Sequence, residues 1–340
     1  MGLFRKKARP TMETIAGFWQ WWATARGEVA QAIDAGTVQG FAGELGHRVH
    51  AIHPDLQWEL TRGVTSAHVL VVTAGGQDTV RAVAARWFSA APPADDTWSY
   101  RSVRAGELSV FESTIELDGH KLDLGDMRYG VAVDMQRRQI DVVCHHPAFV
   151  NLPDDVRGQI SFLTLDWALG EDEVETWIGE ITWTATEPAN PRTPHELRRA
   201  ATALAGEEDS WVLMRGQRRD GTPLMAAAAS PLRPARWPRF DLHVPIRLPY
   251  QRHNEGQLPV DESLAALRRF EDELSATIGP DGVLVAHETA GRERTLHFYV
   301  DSQSTARAEL ESHLPQWREG RASAGAQLDP AFEKVRHLMQ

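Results

Sequence analysis

Cysteine is almost missing from this chain. Of 340 residues only Cys144 carries a thiol, which excludes an internal disulfide and any multi-cysteine zinc site. Long apolar runs are missing too: none approaches the ~20 residues needed to cross a bilayer. The basic start, Met1 to Pro10, has neither the apolar segment nor the cleavage site of a signal peptide. Lys6 stands where a myristoylation pattern needs Ser or Thr, and one short basic cluster is too little for stable membrane attachment. A cytoplasmic location without membrane insertion is therefore expected. Positive charge is also scarce, with 36 Lys and Arg against 47 Asp and Glu and a net charge of −11. Such a field repels phosphate backbones, so no nucleic-acid partner is expected. The patterns G-x-x-x-x-G-K-[ST], G-x-S-x-G, H-E-x-x-H and G-x-G-x-x-G do not occur, and no cofactor or metal is expected.

What is present is an ordinary globular composition, 42% hydrophobic and 24% charged, long enough for two domains. Residues 1–10 read as a flexible basic arm. Ile15, Phe18, Trp19, Trp22, Val29 and Ile33 recur at helical spacing and predict a helix over 12–33. Trp21 falls about 60° outside that stripe, on the polar side. A second helix is predicted over 38–52, ended by Pro54. Alternating strand-like runs follow, with a hairpin signal at Asp118-Gly119 and a further helix over 154–169 closed by Gly170. Three prolines in residues 186–194 mark the expected domain boundary.

The predicted organisation is thus an N-terminal α+β domain over 11–185, a linker over 186–194, a C-terminal α+β domain over 195–318 and a tail over 319–340 with a short terminal helix. Each domain is expected to be an antiparallel sheet with helices on one face. In the C-terminal domain the order strand, helix, strand, strand, helix, strand follows a hairpin, which predicts a ferredoxin-like split β-α-β unit with that hairpin added. Asp261 is the expected cap of the first helix of this unit, and Asp329-Pro330 opens the last short helix.

The segments FWQWW near the start, Ile52–Leu56 (IHPDL), Leu165–Glu171 (LDWALGE) and Thr289–Asp301 (TAGRERTLHFYVD) form one set. With these the chain resembles the uncharacterised bacterial proteins of domain-of-unknown-function family 695, the likeness covering roughly residues 207–318. Some members of that family carry a domain similar to the ribonuclease E inhibitory regulator. A full copy is not expected here, so the inhibitory role is not implied. The resemblance brings no reaction and no catalytic residues.

Several constellations carry titratable groups. His47, His50 and His53 lie near a helix end, where imidazoles interact favourably with helix carbonyls without a metal. Cys144-His145-His146 closes a strand, and strand alternation separates the thiol from His145. Asp166, Glu171, Asp172, Glu173 and Glu175 cluster at a helix start, where acids are favoured. The most suggestive surface belongs to the C-terminal sheet. Phe240, Leu242, Val244, Ile246 and Leu248 alternate with His243 and Arg247, while Leu296, Phe298 and Val300 alternate with His297 and Tyr299. His243, Arg247, His297 and Tyr299 are the expected binding residues on an open sheet face, and off-stripe Trp21 is an expected interface anchor. The expected partner is a protein or a second copy of the chain. The chain is read as a non-enzymatic protein-binding or regulatory module. The alternative is a hydrolase or metal-dependent enzyme whose site between the domains uses His145, His146, Asp166 or Glu171. The leading reading requires the titratable groups to be dispersed over outer surfaces.

Overall fold

The computed structural model describes residues 11–117 and 119–339; the expected basic arm and Asp118 of the hairpin signal lie outside them. The chain divides into two compact units, Met1–Arg104 and Ala105–Gln340, and its class is α+β.

The first unit contains α1 (Thr11–Asp34), α2 (Gln39–Ile52), β1 (Gln57–Arg62), β2 (His68–Thr73), α3 (Asp78–Ser89) and β3 (Trp98–Arg101). β1 and β2 pair antiparallel, whereas β3 joins β2 in parallel after the α3 crossover. All six residues of β2 are buried. The apolar stripe of α1 delivers Ile15, Phe18, Trp22 and Val29 to the core, where they meet Leu45 and Val49 of α2 and Trp87 of α3. Buried indoles need partners for their N–H groups: Trp22 Nε1 donates to Tyr100 Oη at 3.0 Å and Trp98 Nε1 to the Arg26 carbonyl at 3.1 Å. Trp21 is half-buried inside this unit. Its ring packs against Phe18, 5.7 Å between centroids, and under the Arg48 guanidinium at 5.2 Å. Glu44 holds Arg48 from one turn away, at 2.7 Å. The expected anchor is thus partly covered by α2, an interaction across helices that the periodicity of α1 alone does not reveal.

The second unit opens with the hairpin β4 (Thr114–Leu117) and β5 (His120–Asp123), then β6 (Arg128–Asp134), β7 (Gln139–His145), α4 (Asp154–Leu169), α5 (Glu171–Trp177), β8 (Ile178–Thr184) and α6 (Pro194–Ala205). β6 and β7 are antiparallel, and β8 returns parallel to β7 after two helices. The two three-stranded sheets of the chain are therefore mixed, a departure from the wholly antiparallel expectation that follows from these helical crossovers. Residues 186–194 do not separate the units. Tyr129 and Arg192 exchange backbone hydrogen bonds, each 2.8 Å, and Thr193 with Glu196 forms a capping box on α6. α6 then buries Leu197, Ala201 and Leu204 in the same core as Ile140, Cys144 and Leu165. Proline marks irregular backbone, and here that backbone is pinned to β6.

The remainder is β9 (Ser210–Gln217), β10 (Pro223–Ser230), β11 (Leu242–Pro249), α7 (Asp261–Ile278), β12 (Gly282–Ala290), β13 (Glu293–Val300), α8 (Ala306–His313), β14 (Ser323–Ala324) and β15 (Gln327–Leu328). The strand order is β14-β11-β13-β12-β10-β9, with β15 also on β11, and every pairing is antiparallel. One face buries Val244, Ile246, Leu296 and Phe298 under Leu267, Phe270 and Leu310 of α7 and α8. The other gathers Ala226, Ala286 and Tyr299 under Phe332, Val335 and Leu338. Asp261 is the first residue of α7 rather than its cap; Val260 stands at the cap position without a side-chain bond.

Arg138 connects the β6–β7–β8 sheet to the broad C-terminal sheet. It occupies the tight turn between β6 and β7, at φ 52°. Nη1 donates to the Ser230 carbonyl at the end of β10 (3.0 Å), and Nη2 to the Leu204 and Glu207 carbonyls at the end of α6 (3.1 and 3.0 Å). The guanidinium also lies 5.6 Å over the Trp177 ring. A cation is favoured at the carbonyl end of a helix, and Arg138 is 4% exposed. Arg138→Met should strand these carbonyls and cost roughly 2–4 kcal/mol, read as a lower urea midpoint.

Candidate functional site

Cross-strand register brings the predicted sheet residues together. His243 lies opposite Tyr299, and His297 is opposite Pro245 on the same face. Arg247 is exposed on that face. The face is nevertheless not open: His243 and His297 are 5% and 6% exposed. Residues 329–339 cross it as a strap. Phe332 stacks on Tyr299 with centroids 3.6 Å apart, and Tyr299 Oη donates to Asp329 at 2.5 Å. The same carboxylate accepts the backbone N–H groups of Glu333 (3.0 Å) and Lys334 (2.9 Å). Asp329 thus caps the terminal turn, Glu333–Leu338, while fastening it to the sheet.

Under the strap runs a chain of titratable groups. His243 Nε2 is 3.0 Å from His297 Nδ1, His297 Nε2 is 3.1 Å from Glu288 Oε2, and Glu288 Oε1 is 3.1 Å from His337 Nε2. This convergence overturns the dispersal that the non-enzymatic reading required, so that reading rests instead on the engagement of these groups in holding the strap. Glu288 and His337 are additions to the expected residues. The available signal for Glu288 is its place on β12, where it pairs with Thr295, two residues before His297 on the same face of β13. His337 is 49 residues away from Glu288 in sequence, and no local pattern joins them.

The electrostatics follow from burial. Desolvation, with His297 nearby, pushes His243 down to about 4. Hydrogen bonds from His297 and His337 hold Glu288 down to about 2 despite its burial. Burial and the Asp329 carboxylate raise the Tyr299 phenol far above its usual range. A neutral His243 donating from Nε2, followed by His297 accepting at Nδ1 and donating from Nε2 to Glu288, satisfies the contacts. The arrangement clamps the strap through His337. It offers no nucleophile in a cleft, and among the described residues no three His, Cys, Asp or Glu side chains form a metal-holding group.

The other candidates have local roles. Cys144 is buried in the core and burial pushes its thiol up to about 12. His145 Nδ1 bonds the Thr184 carbonyl at 3.0 Å. His146 bonds the Asp123 carbonyl at 2.9 Å and accepts the Ala148 N–H at 3.1 Å. Asp166 is exposed on α4, and Asp166, Glu171, Asp172 and Glu175 are each engaged by neighbours. His50 is exposed, and His53 accepts the Asp55 N–H at 3.3 Å.

The C-terminal sheet also has a bare margin. β9 ends the strand order, and Trp211 and Leu213 on it are 42% and 74% exposed. Trp211 stacks on His287 of β12, 6.0 Å between centroids.

No family model matches the chain, and no curated protein matches it. Among solved structures, a crystal structure of a protein from Thermus thermophilus is similar at 11% identity with a TM-score of 0.19. That match covers 89% of this chain, which spans 40% of the other protein's length.

Two measurements check the site. His243 and His287 both sit at about 4, below the ordinary 6.5, chiefly because burial disfavours their cations. The unfolded chain therefore takes up their protons first. Stability should be fully present above about pH 6.5 and fall as the pH drops toward 4, with His243→Asn reducing the slope of urea midpoint against pH. Glu288 adds a separate loss between the ordinary carboxylate range and about 2. Secondly, Cys144 should resist a thiol-reactive dye at neutral pH in the native protein and react promptly in denaturant.

Proposed function

We propose that the chain is a non-catalytic protein-binding module whose docking element is the outer edge of β9. The C-terminal sheet is read here as ferredoxin-like with an added hairpin, and it is the hairpin that supplies this edge. The observation carrying the proposal is an eight-residue strand at the sheet margin, with Trp211 and Leu213 exposed. Edge strands are usually blunted by proline, bulges or inward charges, and unblunted ones pair with further chains. β9 contains no proline, Arg215 is its single charged residue, and its register with β10 is unbroken from Ser210 to Gln217. The family 695 resemblance assigns no reaction and is compatible with such a role.

A second copy of the chain fits this edge. In an antiparallel pair centred on Val212, Trp211 of each copy faces Leu213 of the other, and Asp209, just before β9 and already paired with Arg236 of its own chain, lies opposite Arg215. Apolar and opposite-charge pairs in such positions are each stabilising, and the contact is self-complementary as a two-fold interface requires. Sedimentation equilibrium should show a reversible dimer with Kd of about 1–100 µM. Leu213→Glu, at an exposed position, should leave monomers with an unchanged melting temperature. A wild-type chain that stays monomeric across that range, with freely exchanging outer β9 amides, would rule out self-pairing.

A further inference from the structure

On the helix-covered face of the C-terminal sheet, α7 does not extend over the β9–β10 hairpin, and a cavity of about 400 Å³ opens beside it. That volume lies in the range of small-ligand sites. Leu264, Arg268 and Glu271, spaced i, i+4 and i+7 on α7, supply one wall. Met225 and Leu213 supply the apolar side opposite. Three features at its base point to a ligand.

Arg294 is 6% exposed and is fixed on two sides. Nε donates to Thr289 Oγ1 at 2.9 Å, and Nη1 to Glu271 Oε1 at 2.6 Å. Its remaining nitrogen, Nη2, has no protein hydrogen-bond partner among the described residues. His287 also lines the cavity, and its Nδ1 is buried without a hydrogen-bond partner. Burial, with Arg294 close by, keeps His287 neutral at physiological pH. A buried polar atom without a partner, such as His287 Nδ1, is rare and costly in folded proteins. Finally, Arg268 is exposed on the cavity wall. With Arg268 and Arg294 against Glu271, the lining carries one net positive charge, which matches a monoanion.

We propose that this cavity binds a carboxylate carried on an apolar body. Arg268 and Nη2 of Arg294 receive the two oxygens, and His287 in its Nδ1–H tautomer donates to one of them. Arg294 already holds one carboxylate, that of Glu271, so its planar fork suits a second on its free side. The apolar body lies against Leu213, Met225 and Leu258. The site shares Leu213 with the β9 edge, but its polar groups lie on α7, β12 and β13, so it does not rest on edge pairing.

The test uses the full chain with four probes: 4-phenylbutyrate and 4-phenylbutyramide, and acetyl-Leu-Phe with a free or an amidated C-terminus. The readouts are calorimetric titration and the ring nitrogen resonances of His287. At least one acid should bind saturably and shift His287, and its amide should bind about tenfold more weakly or worse. Which acid binds distinguishes a free small acid from a peptide terminus. Arg268→Gln should weaken the acid about tenfold with the melting temperature unchanged, since Arg268 is exposed and the Arg294–Glu271 pair is left intact. Equal binding of acid and amide, no response from either acid up to about 10 mM, or an unaltered affinity in Arg268→Gln would overturn the proposal.

Discussion

A buried guanidinium joins the small mixed sheet of the larger unit to its broad antiparallel sheet. Arg138, in the turn between β6 and β7, faces carbonyls from the end of α6, which packs in the core of that sheet, and from the end of β10 in the C-terminal sheet. A buried charge is tolerated only when its hydrogen bonds are largely met. Five N–H groups on one rigid fork can meet several carbonyls at once, which the single ammonium of lysine does less well. The fork therefore fixes where the β9–β10 hairpin begins. The ladder of β10 with β12 then sets the position of the features built on that hairpin, the exposed strand margin and the cavity beside α7.

The C-terminal sheet then divides its chemistry between two faces through the alternation of β12. Successive residues His287 and Glu288 point to opposite sides. Glu288 goes to the covered side, where two imidazoles bind it. His287 goes to the helix side, where Trp211 shields it and its Nδ1 is unmet. The same strand thus contributes to a satisfied clamp on one face and an unsatisfied pocket on the other. Satisfied polar groups rigidify, whereas unsatisfied ones mark places where something else can bind.

Much of this was legible in the chain itself. The alternation of Val244, Ile246 and Leu248 with His243 and Arg247 placed those side chains on the correct faces, because a pleated strand allows only two directions. The limits of α4 followed from Gly170 and from apolar spacing. Contacts between distant segments were not legible. Nothing local to His297 announces His337, although the β12–β13 hairpin brings Glu288 to its face, and nothing in the stripe of α1 announces Arg48 above Trp21. The prolines of residues 186–194 were informative about backbone irregularity but silent on whether it is free or pinned; Arg192 pairing with Tyr129 decided that. The parallel return of β3 and β8 was hidden for a similar reason, since strand direction is set by the crossover and not by the residues within the strand.

Those parallel returns bear on how the protein assembles. β3 and β8 join their sheets across helical crossovers, α3 for the first and α4 with α5 for the second, so each closes a loop before gaining its ladder. The C-terminal sheet is instead extended partly by hairpins such as β9–β10 and β12–β13, whose partners are near neighbours in sequence. Contacts between sequence-distant partners slow folding. The broad antiparallel sheet nevertheless holds the most distant pairings, Met225 with Thr289 and Ile246 with Ala324 against His68 with Trp98 and Ile140 with Ile178, so its closure should lag behind both small mixed sheets.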